Sequence, residues 1–547
     1  MDAAPIDRHL TRYGWIWLLG LAALALLPGL GGIPLLDRDE PRFVRATVEM
    51  QERGNWVVPY FNEAYRFDKP PLTYWWMQLN FRLLGEGEFA ARLHSIIAAW
   101  AAALGIFAFG RSLFCVRSGW LAGAAFLLCF QTLVHGRLAV ADMPMIAAVA
   151  IIMWMGWELV HERHWAGFSW RFWALWWAVI IGFLAKGPIV LFVPVLAWLL
   201  FAITSRSGAR WNQLQPLAGL GFALIVVGLW GAPALILTGG AFWDVGIGTH
   251  IVERGTQTFN GRISNPLYYV VTIFVSLMPW TAFLWAWVAK VRRGWDARTA
   301  YLLMWFLAPV LIFSFYATQL LHYILPGFAG FLLVLFRPVK SASARPALAD
   351  THPLSAVKNR RAEAIFYRTV HTLWSVVTVV LWALVIALPF PGETGPLRGV
   401  LGGLALVLTG LLILGECTRH ALWRRLIPGF AFALLLVGTG FAAFAHNLRP
   451  TLPALKLEPW FAAAKAETSD LEWTGHGYSE PSLVYYREGP WRFAGDPESD
   501  TDFTRGAHVV LAREWRIDDL LDTWLEGRTT PKPSTDRPDA LPPTPPG

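Results

Sequence analysis

A polar segment at residues 36–76, LDRDEPRFVRATVEMQERGNWVVPYFNEAYRFDKPPLTYWW, holds the side chains of this 547-residue chain that are best suited to acid–base or ion-binding chemistry. Its charged candidates are Asp39, Glu40, Arg42, Asp68 and Lys69. Adjacent carboxylates such as Asp39 and Glu40 could bind a divalent cation through oxygen ligands, act as a general base, or bind a cationic sugar group. A solvated turn is the alternative, because acids are common in polar loops.

A second set of candidates consists of the cations Lys69, Lys186 and Arg254. Lys186 stands in FLAKGPIVLF, between two apolar runs, where a positive charge is costly unless it is paired. The phosphate of a polyprenyl lipid would supply that pairing, because Lys and Arg are the usual partners of phosphate. The alternative for Lys186 is a side chain that extends to the lipid headgroups.

Three further stretches carry candidates with two readings each. In HGRLAVADMP, Arg137 and Asp142 are either site residues or a charge arrangement at a helix N-terminus. In GTHIVERGTQTFNGR, His250 and Arg254 belong to either a lid or a polar connector. In LHYILPG, His322 is typical of an interfacial anchor, whereas Tyr323 could donate to a phosphate oxygen.

The composition indicates the kind of protein that holds these residues. The chain is 55% hydrophobic, has 31 Trp, and contains about thirteen apolar runs long enough to cross a bilayer. We therefore predict an all-α polytopic membrane protein with spans near 13–30, 88–110, 118–134, 143–160, 172–185, 188–204, 216–238, 267–289, 299–316, 322–337, 370–390, 398–416 and 426–446. The first run is expected to be a retained anchor rather than a cleaved signal peptide.

The distribution of basic residues predicts the orientation of these spans. With a cytoplasmic N-terminus, every inside loop carries Lys or Arg, which accounts for the net charge of +8 without a nucleic-acid partner. The carboxylates and mixed-charge motifs then fall on the outer side, in the two long segments 31–87 and 239–266 and at helix ends. The first of these segments is expected to contain two short helices along the membrane surface.

The remaining composition sets domain limits and excludes several function classes. Residues 1–446 are expected to form the membrane domain, 447–528 a small α/β outer domain with strands near 471–473 and 508–511, and 529–547 a disordered Pro-rich tail. Helices are expected at 460–468 and 517–524. Three cysteines without a CxxC pair indicate neither a thiolate metal site nor a disulfide framework. No nucleotide-binding or nucleophile-elbow motif occurs.

Five motifs in register resemble one enzyme family. They are DEPRF at 39–43, YRFDKPPLTYWW at 65–76, GRLAVADMP at 136–144, LAKGP at 184–188 and HYILP at 322–326. Together they resemble the bacterial aminoarabinose transferase branch of the polyprenyl-phosphate-dependent glycosyltransferases, which are relatives of the protein O-mannosyltransferases. The resemblance covers roughly the first 340 residues. It implies the GT-C fold, with a membrane bundle, outer juxtamembrane helices and a periplasmic C-terminal domain.

The resemblance also implies roles for individual residues. Asp39 would be the main catalytic carboxylate, with Glu40, Arg42 and Asp142 beside it. Lys69, Lys186, Arg254 and Tyr323 would bind the lipid phosphate. Asp68 would be an acidic ligand, able to share a divalent cation with Asp142. The wider pocket would include Arg137, His250 and Glu480, the last from GYSEPSLVYY.

The resemblance implies transfer of a sugar from undecaprenyl phosphate to an acceptor such as lipid A, with inversion at the anomeric carbon. Pro41, Phe43 and Asp68 stand where aminoarabinose transferases tend to read DETRY and FEKP, a pattern shared with relatives of unassigned substrate. The identity of the transferred sugar therefore stays open, and the acceptor could be another glycolipid or a protein.

A lipid or solute transporter and an envelope scaffold are the competing classes of protein. Charges at helix ends and the lack of an internal repeat disfavour transport. The sequence gives no oligomeric state.

Overall fold

The computed structural model describes residues 5–36, 39–165, 167–205, 208–246, 265–338, 365, 369, 471–476, 481–486, 491–494 and 507–512. Its helices are α1 (Pro5–Leu26), α2 (Glu40–Glu52), α3 (Leu72–Leu84), α4 (Glu88–Leu113), α5 (Val116–Leu127), α6 (Phe130–His135), α7 (Asp142–Val160), α8 (Trp170–Lys186), α9 (Ile189–Thr204), α10 (Pro216–Leu237), α11 (Ala241–Trp243), α12 (Tyr268–Ser276), α13 (Leu284–Arg293), α14 (Ala297–Ser314), α15 (Phe328–Phe336) and α16 (Pro481–Tyr486). Its strands are β1 (Tyr60–Phe61), β2 (Ala64–Tyr65), β3 (Leu471–His476), β4 (Trp491–Ala494) and β5 (Ala507–Ala512). Short 3₁₀ helices occupy Trp211–Leu214, Trp280–Phe283 and Leu321–Gly327.

A membrane architecture follows from the apolar helices. Within the described ranges, four helical segments are long and apolar enough to cross a bilayer: Glu88–Leu113, Asp142–Val160, Trp211–Leu237 and Ala297–Ser314. The segments Ile189–Thr204 and Leu321–Phe336 are shorter but also apolar. The predicted helical, multi-pass class is confirmed. The number of about thirteen spans stays a prediction, since the last three expected spans lie outside the described residues.

The helix α7 forms the centre of the bundle and packs against α4, α8 and α9. Small residues allow neighbouring helices to approach closely, as they do in many membrane proteins. At the crossing of α4 and α5, a Cβ on Gly110 would lie 2.6 Å from the Cα of Gly119. By contrast, α10 presents Leu217, Leu224, Leu229 and Ile236 outward. The bundle therefore has a tightly packed centre and an apolar surface suited to lipid.

Three of the predicted spans are broken rather than continuous. The span expected at 118–134 is divided into α5 and α6, because the Phe130 N–H donates to the carbonyl of Met278 (2.9 Å) instead of to its own helix. The span at 267–289 is interrupted before Pro279, which has no N–H to continue a helix. The span at 322–337 begins as a 3₁₀ helix that contains Pro326. The break after α5 and the 3₁₀ start of the span at 322–337 place His135 and His322 at the same end of the bundle.

The first outer segment contains the two expected short helices. Pro41 occupies the first turn of α2, where its missing N–H has no cost, and Gly54 with φ +62° follows the end of that helix. Gly85, with φ +83°, ends α3 in the same manner. Between them, β1 and β2 form a small antiparallel hairpin. Phe43 and Tyr74 lie in the apolar cluster that joins the two helices.

The described C-terminal residues include a three-stranded parallel sheet with strand order β4-β3-β5. The strands expected near 471–473 and 508–511 lie within β3 and β5. The strand β4 and the helix α16 were not expected from the sequence. The helices expected at 460–468 and 517–524 and the tail at 529–547 lie outside the described residues, and the domain limits stay a prediction.

Candidate active site

Helix ends bring a set of polar side chains together at one end of the bundle. Asp142 is the first residue of α7 and Lys186 the last of α8, and the two side chains form a direct ion pair. His322 joins them, with its Nε2 3.6 Å from Oδ1 of Asp142. Asp142 is the acidic residue in the first turn of α7, so its charge also complements the helix dipole, as the alternative interpretation expected. Its contact with Lys186 pairs a cation that the sequence placed beside apolar runs.

Two residues extend this group. The ring of His135, the last residue of α6, lies 4.2 Å from the ring of His322. The Gln131 amide donates from Nε2 to Nδ1 of His135 (2.9 Å), which leaves the ring proton of neutral His135 on Nε2. The ring of Tyr323 lies 4.9 Å from that of His322 and 5.6 Å from Nζ of Lys186. We call His135, Asp142, Lys186, His322 and Tyr323 the helix cluster.

The first outer segment supplies a second group. Asp68 accepts from Arg66 Nη2 (2.9 Å) through one oxygen and from Lys69 Nζ (2.8 Å) through the other. Arg66 also donates from Nε to the hydroxyl of Tyr74 (3.0 Å), and its guanidinium lies 5.2 Å from the ring centroid of Phe43. Burial raises the pKa of Tyr74, against the opposing effect of Arg66, so its hydroxyl stays protonated. We call Arg66, Asp68, Lys69 and Tyr74 the loop cluster.

Asp39 lies near one residue of each cluster. It is the exposed residue immediately before α2, and its side chain makes no capping bond there. Its negative charge acts on Arg66 in the loop cluster and on His135 in the helix cluster. Arg42, half-buried on α2, follows one turn later. An accessible carboxylate thus lies near the Arg66 guanidinium and the His135 ring, which suits a positioning or proton-accepting role.

Glu40 does not have the catalytic position expected for it. Its side chain is 1% exposed, and its oxygens accept from Nε and Nη2 of Arg92, both at 2.8 Å. The same oxygens accept from the N–H groups of Ala139 (2.7 Å) and Leu36 (2.8 Å). Arg92 in turn donates to the carbonyls of Leu30, Ile33 and Pro34. Because these bonds occupy both carboxylate oxygens and bury them, Glu40 supports the site rather than contacting a substrate.

Arg137, expected in the wider pocket, makes two contacts with the backbone. Its side chain is buried and donates to the carbonyls of Leu133 (3.0 Å) and Ala25 (2.5 Å). These bonds tie α6 to the end of α1. Arg137 therefore fixes the backbone beside His135, and its place in the pocket stays a prediction.

The divalent cation expected between Asp68 and Asp142 finds no support in this arrangement. Asp68 is neutralised by Arg66 and Lys69, and Asp142 by Lys186. In the part of the chain that the structure describes, no group of three or more His, Cys, Asp or Glu could hold a metal ion. A cation would have to displace these ammonium and guanidinium partners.

The sequence reasoning missed Arg66, Arg92 and His135 as residues of the site and its support. Arg66 had a local signal, because it precedes Asp68 by two positions in the same motif. Arg92 had one too, since an arginine near the start of an apolar run needs a partner. His250, Arg254 and Glu480 lie outside the described residues, and their roles stay predictions.

Comparisons with known proteins agree with the expected family. Residues 68–230 match the family described as dolichyl-phosphate-mannose-protein mannosyltransferase. The undecaprenyl phosphate-alpha-4-amino-4-deoxy-L-arabinose arabinosyl transferase of Enterobacter sp. (strain 638) is 30% identical over 349 residues, 61% of this chain and 61% of the relative. The protein of that name from Edwardsiella ictaluri is 31% identical over 336 residues, 59% and 58% of the two chains. The match thus spans about three fifths of each relative's length.

A solved structure extends the comparison to the fold. The crystal structure of ArnT from Cupriavidus metallidurans bound to undecaprenyl phosphate superposes with a TM-score of 0.68 at 19% identity, over 94% of this chain and 91% of that one. The fold and the site define a helical multi-pass membrane protein with a charged site at one end of its bundle. The similarity to the aminoarabinose transferases and their polyprenyl-phosphate-dependent relatives, predicted from the five motifs, is confirmed.

Proposed function

We propose that the protein is a membrane glycosyltransferase that moves a sugar from a polyprenyl phosphate to an acceptor at the outer face of the inner membrane. Lipid A is the acceptor class that we propose. The observation that carries the proposal is the position of Asp39, an exposed carboxylate whose charge acts on both the loop cluster and the helix cluster. The relatives named as undecaprenyl phosphate-aminoarabinose transferases support the donor class.

The cations of the two clusters suit the phosphate of the donor. Lys186 donates one of its three ammonium hydrogens to Asp142, so two can turn toward a phosphate. Lys69 donates to both the carboxylate and the backbone carbonyl of Asp68, which fixes its positive charge beside the proposed phosphate site. Tyr323, beside Lys186, can add a hydroxyl donor. We also propose Arg254, which lies outside the described residues, as a ligand of the phosphate.

The proposed reaction is a displacement at the anomeric carbon. The acceptor oxygen forms the new bond to that carbon, the carbon–oxygen bond to the donor phosphate breaks, and the leaving phosphate keeps the electron pair. Lys69 and Lys186 stabilise the charge that develops on it. For a hydroxyl acceptor, Asp39 takes the proton. An acceptor phosphate is already anionic and needs no base, so Asp39 would then position the donor or the acceptor.

The orientation that we propose places the N-terminus in the cytoplasm and the site and C-terminus in the periplasm. Two contacts support it. The backbone of Arg210 bonds to Val160, at the opposite end of α7 from Asp142, so basic loops and the site lie at opposite ends. The helix α16 packs against α2, which places the described C-terminal elements on the same side as the first outer segment.

The decisive experiment measures sugar transfer by purified protein in proteoliposomes. We expect Asp39→Asn to lower the rate by about 100-fold or more with an unchanged melting temperature. Glu52→Gln is the matched control, since it removes an exposed carboxylate from the same helix and should keep the wild-type rate. Mass spectrometry of lipid A, other glycolipids and envelope proteins identifies the acceptor. A wild-type rate for Asp39→Asn would contradict the proposed role of Asp39. If the sugar is found on a protein, that protein would replace lipid A as the proposed acceptor.

A further inference from the structure

The hairpin in the first outer segment has an unusual turn. Asn62 and Glu63 join β1 to β2 with φ values of +54° and +65°, the backbone of a type I′ turn. Both N–H groups of this turn donate to Glu49 on α2, Asn62 to Oε1 (2.9 Å) and Glu63 to Oε2 (3.2 Å). Glu49 is buried, with 2% of its surface exposed. The turn is therefore fixed on its inner side by α2.

The C-terminal part of the chain holds the same turn from the other side. The Asn62 amide donates from Nδ2 to the carbonyl of Trp491 (2.7 Å) and accepts at Oδ1 from the N–H of Trp491 (2.7 Å). The side chain thus pairs with the first residue of β4 as another peptide group would. Three residues separate the hairpin turn at Asn62 from Arg66, where the loop cluster begins.

A second C-terminal contact holds the segment that leads to Asp39. The hydroxyl of Tyr486, the last residue of α16, accepts from the N–H of Leu35 (2.8 Å) and donates to the carboxylate of Glu88 (3.1 Å). Burial and the neighbouring Glu88 charge raise the pKa of Tyr486, so the proton needed for that donation is retained. Leu35 is fully buried and precedes Asp39 by four residues.

We infer that Tyr486 and Trp491 form a C-terminal clamp that positions Asp39 and the loop cluster for sugar transfer. The inference rests on the proposed function for the meaning of that positioning. One contact restrains the chain just before Asp39 and the other restrains the hairpin just before Arg66, Asp68 and Lys69. Loosening either contact displaces charged groups whose alignment controls the rate, although neither clamp residue touches the reacting atoms.

The test uses full-length protein in nanodiscs with two readouts. Asn62→Gly removes both bonds to Trp491 but keeps the positive φ that the turn requires. Glu63→Gly is the matched control in the same turn, because Glu63 has an exposed side chain. We expect Asn62→Gly to speed amide exchange across residues 60–69, to lower kcat about tenfold or more, and to raise the donor KM without changing the acceptor KM. Glu63→Gly should leave all four quantities unchanged.

Tyr486→Phe tests the second contact without altering the hairpin. We expect it to speed exchange across residues 33–39, to lower kcat by a similar factor, and to lower the melting temperature only modestly, because one buried N–H loses its acceptor. Unchanged exchange in either variant would overturn the clamp. If amide exchange is faster but kcat equals that of the Glu63→Gly control, the clamp exists but does not position the site. If the wild-type protein transfers no sugar, the proposed function fails and takes the positioning role with it, while exchange still decides whether the clamp contacts exist.

Discussion

The buried pair of Glu40 and Arg92 distinguishes Glu40 from its neighbour Asp39, the exposed carboxylate that we propose for catalysis. In Glu40→Gln, the amide oxygen can still accept two of the four hydrogen bonds, whereas the new NH₂ group faces one donor from Arg92 and one backbone N–H. The variant loses two bonds, one of them from the charged guanidinium, and leaves the 1%-exposed Arg92 without its counter-charge. Breaking one partner of such a pair costs about 3 to 5 kcal/mol.

We expect Glu40→Gln to lower the melting temperature by many degrees, measured by thermal unfolding in detergent and nanodiscs. The fraction that remains folded should keep much of its transfer rate. The control Glu52→Gln removes a half-exposed carboxylate paired with Arg45 and should change stability by less than about 1 kcal/mol. Glu40→Gln combined with Arg92→Met should be more stable than the sum of the single variants predicts. A Glu40→Gln protein with the wild-type melting temperature and no transfer activity would refute this reasoning. Glu40 would then be a catalytic residue, as the sequence predicted.

Two further predictions concern the helix cluster and the helix packing. Asp142→Asn should destabilise the protein by about 1 to 3 kcal/mol by leaving Lys186 without its carboxylate, and adding Lys186→Met should restore the melting temperature but not sugar transfer; a double variant as unstable as the single one would contradict the pairing argument. Gly219→Ala should lower the melting temperature because its Cβ would overlap the Trp176 indole, whereas Gly221→Ala has open space and should be neutral or stabilising; equal effects would contradict the close packing of α10 on α8.

Apolar run length predicted the uninterrupted helices well and failed where distant groups intervene. The bounds expected for α7, α8 and α9 differ from the observed ones by at most two residues. The break between α5 and α6 depends on the Met278 carbonyl, which no local pattern reveals. The hairpin was also missed, because its turn reads Asn-Glu rather than Asn-Gly.

The candidate site was predicted at the level of motifs and only partly at the level of residues. Asp142 and Lys186, expected on one membrane face, are in direct contact. Adjacent carboxylates look alike in sequence, so the different positions of Asp39 and Glu40 could not be separated until Arg92 was placed. His135 was missed for a similar reason, since its proximity to His322 arises from the break that ends α5.

The helices α7 and α10 differ in the share of their residues that is buried, and this difference determines how freely each sequence can change during evolution. In an 18-residue stretch of α7, 83% of residues are buried, whereas the corresponding share for the helical segment that contains α10 is 17%. Substitutions in α7 must preserve volume against three helices and also the Asp142 contact. On α10, one apolar side chain can replace another because lipid adapts to its shape. Substitutions should therefore accumulate faster in α10, while the sequence of α7 should stay more similar among relatives.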